Sequence, residues 1–176
     1  MRKVILYIAT SADGFIASSN GDIDWLNDPR YDLKGEDFGY YEMYNSIDTT
    51  LMGNNTYQQV RGFDVPFPYP EKLNYVFSSA LSGKDENVHF INEDVAQFVK
   101  SLKAQPGKDI WLIGGSQINS ILIKTGLIDQ LIFTTIPVLL GNGIPLFNQE
   151  IGPLHVKMES YKSYANGLTQ SNYMFV

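Results

Sequence analysis

The segment IWLIGGSQINSILIKTG, residues 110–126, does most to limit what this chain can fold into. A short apolar run over 110–113 leads into Gly114 and Gly115, and beyond them Ile118, Ile121, Leu122 and Thr125 fall on one helical face. The spacing predicts a strand, a sharp turn and a helix. Glycine at the junction lets backbone approach something closely, since no side chain stands in the way. The helix turns its free N–H groups and the positive end of its dipole back toward the junction, which favours an anion such as a phosphate. A tight turn that binds nothing satisfies the same pattern, and this segment alone does not separate the two.

Other parts of the chain narrow the class. At 176 residues it is expected to form one domain, 1–176, with a sizeable core. Its net charge of −6, without a basic cluster, argues against nucleic acid as a partner. It has no cysteine, which removes disulfides, thiolate nucleophiles and cysteine-type zinc sites. Only two histidines occur, His89 and His155, and neither has metal-ligand spacing, so no metal site is expected. The apolar run at 4–9 is too short for a secretory core and nothing approaches a membrane span, so a cytoplasmic location is expected.

Taken in order, residues 3–10 read as a strand buried on both faces. The strand delivers SADGFIA, in which Asp13-Gly14 marks a turn. This turn either bonds its own backbone through Asp13 or lies against a ligand. Residues 18–35 form a long polar loop, and Trp25 within it either pins the loop to the core or walls a pocket. Residues 36–47 predict a helix on which Asp37, Tyr41 and Tyr44 share a face. Asp37 then either caps the first turn or points into a pocket. A short strand at 49–52 runs into Gly53, Asn54, Asn55 and Thr56, a second strand–glycine–helix unit.

Residues 73–77 form a strand ending at Ser78 and Ser79, and 88–91 another. Asn92 is expected to cap the next helix. A β-rich run at 128–137 precedes PVLLGNGIPLF, whose Gly141-x-Gly143 is no dinucleotide fingerprint because Pro145 follows. Residues 154–159 alternate as a half-buried strand, and Asn166-Gly167 turns a hairpin into the last strand. Strands alternating with helices, then a hairpin, define an α/β layered domain with a mainly parallel sheet and an antiparallel edge.

The ordered set TSADGFIA (10–17), LMGNNTY (51–57), VFSS (76–79), LIGGSQI (112–118) and GLIDQLIFTTIPVLLGNGIPLF (126–147) resembles the dihydrofolate reductase family. The branch it resembles contains the C-terminal reductase domain of the bifunctional riboflavin-biosynthesis protein and its stand-alone bacterial relatives. The resemblance implies a three-layer dihydrofolate reductase-like α/β fold with a mainly parallel central sheet and an antiparallel C-terminal hairpin. It implies a reductase that passes hydride from NADPH to a pteridine or ribosylaminopyrimidine, working as a homodimer. It places Gly53, Asn54, Asn55 and Thr56 on one side of the cofactor pyrophosphate and Gly114, Gly115, Ser116, Gln117 and Ile118 on the other. Ser78 and Ser79 would lie near the adenosine ribose. Ala9, Thr10, Gly14, Phe15 and Ile16 would flank the nicotinamide.

Asp37 lies sixteen residues before Gly53, where several dihydrofolate reductases carry their acidic substrate-binding residue. The resemblance therefore makes Asp37 the substrate anchor and acid, with a raised pKa if partly buried. Tyr41 would pack on the substrate ring and Trp25 would line the pocket. Two positions depart from the family pattern. Arginine is common where this chain has Asn54, and in true dihydrofolate reductases where it has Gln117. A guanidinium suits the 2′-phosphate of NADPH and a neutral amide does not, so NADH is admitted beside NADPH. A domain that kept the fold and lost turnover is the alternative function.

Overall fold

The computed structural model describes residues 1–148 and 151–176. Its centre is β1 (Val4–Ser11), whose side chains are buried alternately on two faces. The chain then forms β2 (Phe15–Ala17), α1 (Tyr40–Ser46), β3 (Ile47–Gly53), α2 (Asn54–Arg61), β4 (Leu73–Phe77), β5 (Gly83–Lys84), β6 (His89–Ile91) and α3 (Val95–Ala104). It continues with β7 (Asp109–Gly114), α4 (Ser116–Lys124), β8 (Gln130–Ile136), β9 (Ile144–Pro145), β10 (Val156–Ser163) and β11 (Thr169–Phe175). Nine strands make one sheet in the order β10-β11-β8-β1-β7-β3-β4-β6-β5. The run from β8 to β6 is parallel throughout, and β5, β10 and β11 pair antiparallel.

Period-two alternation divides the core into two layers around the sheet. Val4, Leu6, Leu51, Ile110 and Leu112 face Val99 and Leu102 of α3 and Ile118 and Leu122 of α4. On the other face Ile5 and Trp111 pack with Met43 of α1, and Met52 and Val76 with Tyr57 of α2. The fold is the three-layer α/β arrangement expected.

Several local expectations are corrected. The first helix begins at Tyr40, not at residue 36, because Phe38 (φ 56°) and Gly39 (φ 78°) are left-handed and interrupt it. Asp94, not Asn92, caps α3, accepting the Gln97 N–H at 2.8 Å. The strand expected to be half-buried begins at Val156 and is exposed along its length, because it is the outermost strand of the sheet. The pairing of β2 with β9 has no alternating pattern behind it; it depends on two chain segments 130 residues apart meeting, Phe15 opposite Pro145.

Candidate functional site

The site is built where parallel strands end. β1 and β7 pair from Val4 opposite Ile110 to Leu6 opposite Leu112, and both strands run on past the last pair. The chain leaves β1 toward β3 on one side, and after β7 it crosses to β8 on the other. In open α/β sheets the crevice at such a reversal is where ligands lie. Thr10 and Ser11, Gly53, Phe77 and Gly114 are the exits along this edge.

The two strand–glycine–helix units meet there. A Cβ built on Gly53 would lie 3.3 Å from Ile118 Cγ1 and 3.9 Å from the Gly115 nitrogen, and one on Gly115 would lie 3.2 Å from Thr56 Oγ1. Gly53, Thr56, Gly115 and Ile118 are thus brought together, with the first turns of α2 and α4 side by side. No side-chain cap satisfies the start of either helix. At the start of α4, Ser116 is buried and its Oγ has no hydrogen-bond partner. Asn119 is fully buried one turn on. It donates Nδ2 to the Leu146 carbonyl at 3.1 Å, yet its Oδ1 is unpartnered. Buried polar atoms are normally paired; of these two the Ser116 hydroxyl can donate, and a free donor beside a glycine cradle and two positive helix ends fits a diphosphate.

The β1 exit is held by Asp13. The expected bond to its own backbone is not its main role. It accepts from Ser11 Oγ at 2.6 Å and from the Leu140 and Gly141 N–H groups at 3.2 and 2.8 Å. The Ser11 hydroxyl and these two amides hold its carboxyl below the usual range. Gly14 has φ 85°, as a turn there requires. Phe15 and Ile16 follow in β2, and Gly14 O accepts from Leu146 N at 3.0 Å. A Cβ on Gly143 would overlap the Ala17 carbonyl oxygen, so that glycine lets the 138–146 segment lie on β2. Ser78 follows β4, where Phe77 stands opposite Gly53, and its Oγ accepts from Ala80 N and Leu81 N at 3.3 and 3.0 Å. Ser79 is exposed.

The 18–39 segment crosses this edge. Gly21 O accepts from Gln59 of α2 at 2.8 Å, and Tyr31 O accepts from Asn166 of the terminal hairpin, also at 2.8 Å. Trp25 falls between these two anchors in the chain, its indole N–H buried and without a partner.

Asp37 does not have the environment expected of it. Its oxygens accept from Tyr41 N at 2.9 Å and Gly39 N at 3.0 Å, and these two amides hold its carboxyl below the ordinary value. The partial burial that would raise its pKa is not met, and of the two readings the structure has the capping one: the ionised carboxylate accepts from the first turn of α1. Tyr41 is 67% exposed and touches Tyr40 edge-on, so it does not line a buried wall. Tyr40 and Tyr44 turn inward instead, Tyr40 against Tyr7 and Trp111 and Tyr44 against Tyr69.

Tyr7, Thr134 and Gln170 were not visible as a group in the sequence. Tyr7 donates to Phe38 O at 3.0 Å, and Gln170 Nε2 donates to Phe38 O and Thr134 Oγ1 at 2.8 and 2.9 Å. Burial and the nearby Asp37 charge push the Tyr7 phenol up to about 12. Only the pairing of β1 with β8 and β8 with β11 brings these residues together.

This sheet order and this edge define a dihydrofolate reductase-like α/β domain. The chain belongs to the RibD C-terminal domain family, whose sequence model matches residues 2–170. It is 40% identical over 169 residues to the uncharacterized protein YwjB of Bacillus subtilis, covering 95% of each chain. A Shewanella protein assigned to riboflavin biosynthesis has 30% identity, a TM-score of 0.88 and 99% coverage of both chains. The Thermotoga maritima diaminohydroxyphosphoribosylaminopyrimidine deaminase/5-amino-6-(5-phosphoribosylamino)uracil reductase superposes with a TM-score of 0.75 at 17% identity. That likeness covers 99% of this chain and 57% of the Thermotoga chain and concerns the fold.

Proposed function

We propose that this chain is a nicotinamide-dinucleotide-dependent reductase acting on the C=N or C=O of a pteridine or ribosylaminopyrimidine. The observation that carries the proposal is the facing pair of glycine turns, with the buried, unpartnered Ser116 Oγ at the start of α4. The Thermotoga relative, by its name a phosphoribosylaminouracil reductase, supports the reaction class. A bound dihydronicotinamide would supply the hydride. The chain's part is chiefly positioning. The N–H groups opening α2 and α4 hold the diphosphate, joined by Thr56 and Ser116. Ala9 and Thr10, with Phe15 and Ile16 fixed by the Asp13 tether, flank the nicotinamide. Trp25 closes the edge and keeps water from the reacting carbon. Asp37, already ionised, orders α1, and the balancing proton comes from solvent.

The test follows NADH or NADPH oxidation by absorbance, with dihydrofolate and the phosphoribosylaminopyrimidine in parallel. Turnover with either substrate supports the reading and assigns the substrate. Saturable nucleotide binding without turnover favours the degenerate domain, and absence of saturable binding refutes the dinucleotide site.

A further inference from the structure

We propose that this site selects the dinucleotide without a 2′-phosphate, NADH over NADPH, because among the described residues the exits of β3, β4, β6 and β7, where an adenosine ribose can lie, carry no cation. The inference rests on the dinucleotide reading above and deepens it. The exits of β3, β4, β6 and β7 carry residues 53–56 (GNNT), 78–82 (SSALS), 92–94 (NED) and 115–118 (GSQI). Their side chains are amides, hydroxyls and apolar groups, and their only charges are Glu93 and Asp94. Whichever exit receives the ribose, its 2′ position meets a neutral or negative rim.

The cations on this flank are placed or engaged elsewhere. Lys84 stands opposite His89, at the start of β6 and not at its exit. Arg61 closes α2, seven residues beyond Asn54 and about 10 Å down the helix. It sits 5.8 Å from the Tyr57 ring centroid, and the Tyr57 hydroxyl donates to Asp85 at 2.9 Å. Lys72 donates to Tyr44 O and Ile47 O at the β4 entrance, at 2.8 and 2.9 Å. In the 18–39 segment, Arg30 pairs with Asp28 at 2.6 Å, and Lys34 lies between Tyr31, fixed to Pro137 and Asn166, and Phe38, fixed to Tyr7 and Gln170, so both belong to the β1–β8–β11 side, away from β4 and β6.

A ribose phosphate adds between one and two negative charges near neutrality. The diphosphate is common to both nucleotides, so the amides of α2 and α4 bind it alike and discrimination falls on the 2′ group. A 2′-hydroxyl suits this rim: Ser78 Oγ is already an acceptor for two backbone amides, which leaves its O–H to donate. A 2′-phosphate would lose water, meet no guanidinium or ammonium among the described residues of these exits, and feel Glu93, Asp94 and a chain of net charge −6.

The experiment is calorimetric titration of the full chain with NADH and with NADPH, at low and high salt, repeated with Asn54→Arg. NADH is expected to bind tighter by about tenfold or more at low salt. Added salt should narrow that gap, because screening relieves repulsion. Asn54→Arg should raise NADPH affinity relative to NADH by about tenfold. Equal or tighter NADPH binding by the natural chain overturns the inference, as does a gap that widens with salt. Saturable binding of neither nucleotide overturns the dinucleotide reading itself, a result distinct from wrong selection.

Discussion

Gly143→Ala is the most direct probe of how the β1 exit is held. The added methyl would overlap the Ala17 carbonyl oxygen and come within 3.2 Å of two Phe15 ring atoms. Neither neighbour is the loose end of a flexible side chain, so the 138–146 segment must move. Restoring an ordinary carbon–oxygen contact takes a shift of about 1 Å. That shift disturbs the pairing of Phe15 with Pro145 and Ala17 with Ile144, and the Leu146 N–H to Gly14 O bond. Overpacking costs about 1–3 kcal/mol, and a weakened hydrogen bond adds about 1 kcal/mol. A loss near 3 kcal/mol should lower Tm by about 6–12 °C in a chain of this length. Gly141→Asn is the control: φ is 70°, a Cβ meets nothing within 4 Å, and asparagine tolerates that conformation. Its change should stay within about 0.5 kcal/mol. Urea denaturation and thermal melts of both variants decide the matter. A Gly143→Ala protein melting within about 1 °C of the natural chain would show that the segment does not lie on β2.

Four further outcomes follow from particular contacts. Gly53→Ala, at φ −79° where any residue sits, should change stability by less than about 1 kcal/mol yet weaken dinucleotide binding about tenfold, read by titration; unchanged affinity would remove Gly53 from the cradle. Arg2 is buried, pairs with Asp48 and donates to Thr49 Oγ1 at 2.5 Å and Lys108 O at 2.5 Å. Arg2→Met should cost about 2–3 kcal/mol in urea, less than a fully buried pair because Asp48 is partly exposed and keeps the Lys108 N–H. Stability should fall at both ends of the pH scale. Arg30 holds the Asp28 carboxyl down to about 2 and backbone amides lower Asp37, so their contribution is complete above the unfolded value near 4 and lost as pH falls below it. Tyr7 is raised to about 12, so its contribution is complete below about pH 10 and lost as pH climbs through 12. Melts across pH check both limbs, and a flat profile refutes them. Asp37→Asn should leave the pH profile of turnover where it was; a moved acid limb would restore Asp37 as the acid.

Legibility followed the range of the interactions. β1, α3 and the β7–α4 unit announce themselves through apolar period and turn residues, which are local. The meeting of Gly53 with Gly115 was legible through family resemblance, because each glycine turn alone is compatible with binding nothing. Residues 36–39 misled because Asp37 continues the helical spacing of Tyr41 and Tyr44, while the left-handed backbone at Phe38 is stabilised from outside by Tyr7 and Gln170. Asp13 looked like a self-bonded turn because its partners, Leu140 and Gly141, lie far along the chain. The exposure of β10 was hidden because alternation reports a preference and does not name the layer that would cover it.

The place of β7 in the sheet bears on how the protein is made. Of the strands in this sheet β1 is synthesised before the others, and it needs Asp109–Gly114 on one side and Gln130–Ile136 on the other. While the nascent chain is shorter than that, Val4 and Leu6 have no neighbouring strand, although both are wholly buried in the finished molecule. The β3–β4–β6 half can pair as it leaves the ribosome; the first strand must wait for the last third of the chain. A product truncated after Ala104 therefore carries a greasy, unpaired leader, a natural ligand for chaperones and proteases, and has no crevice in which a nucleotide could be kept.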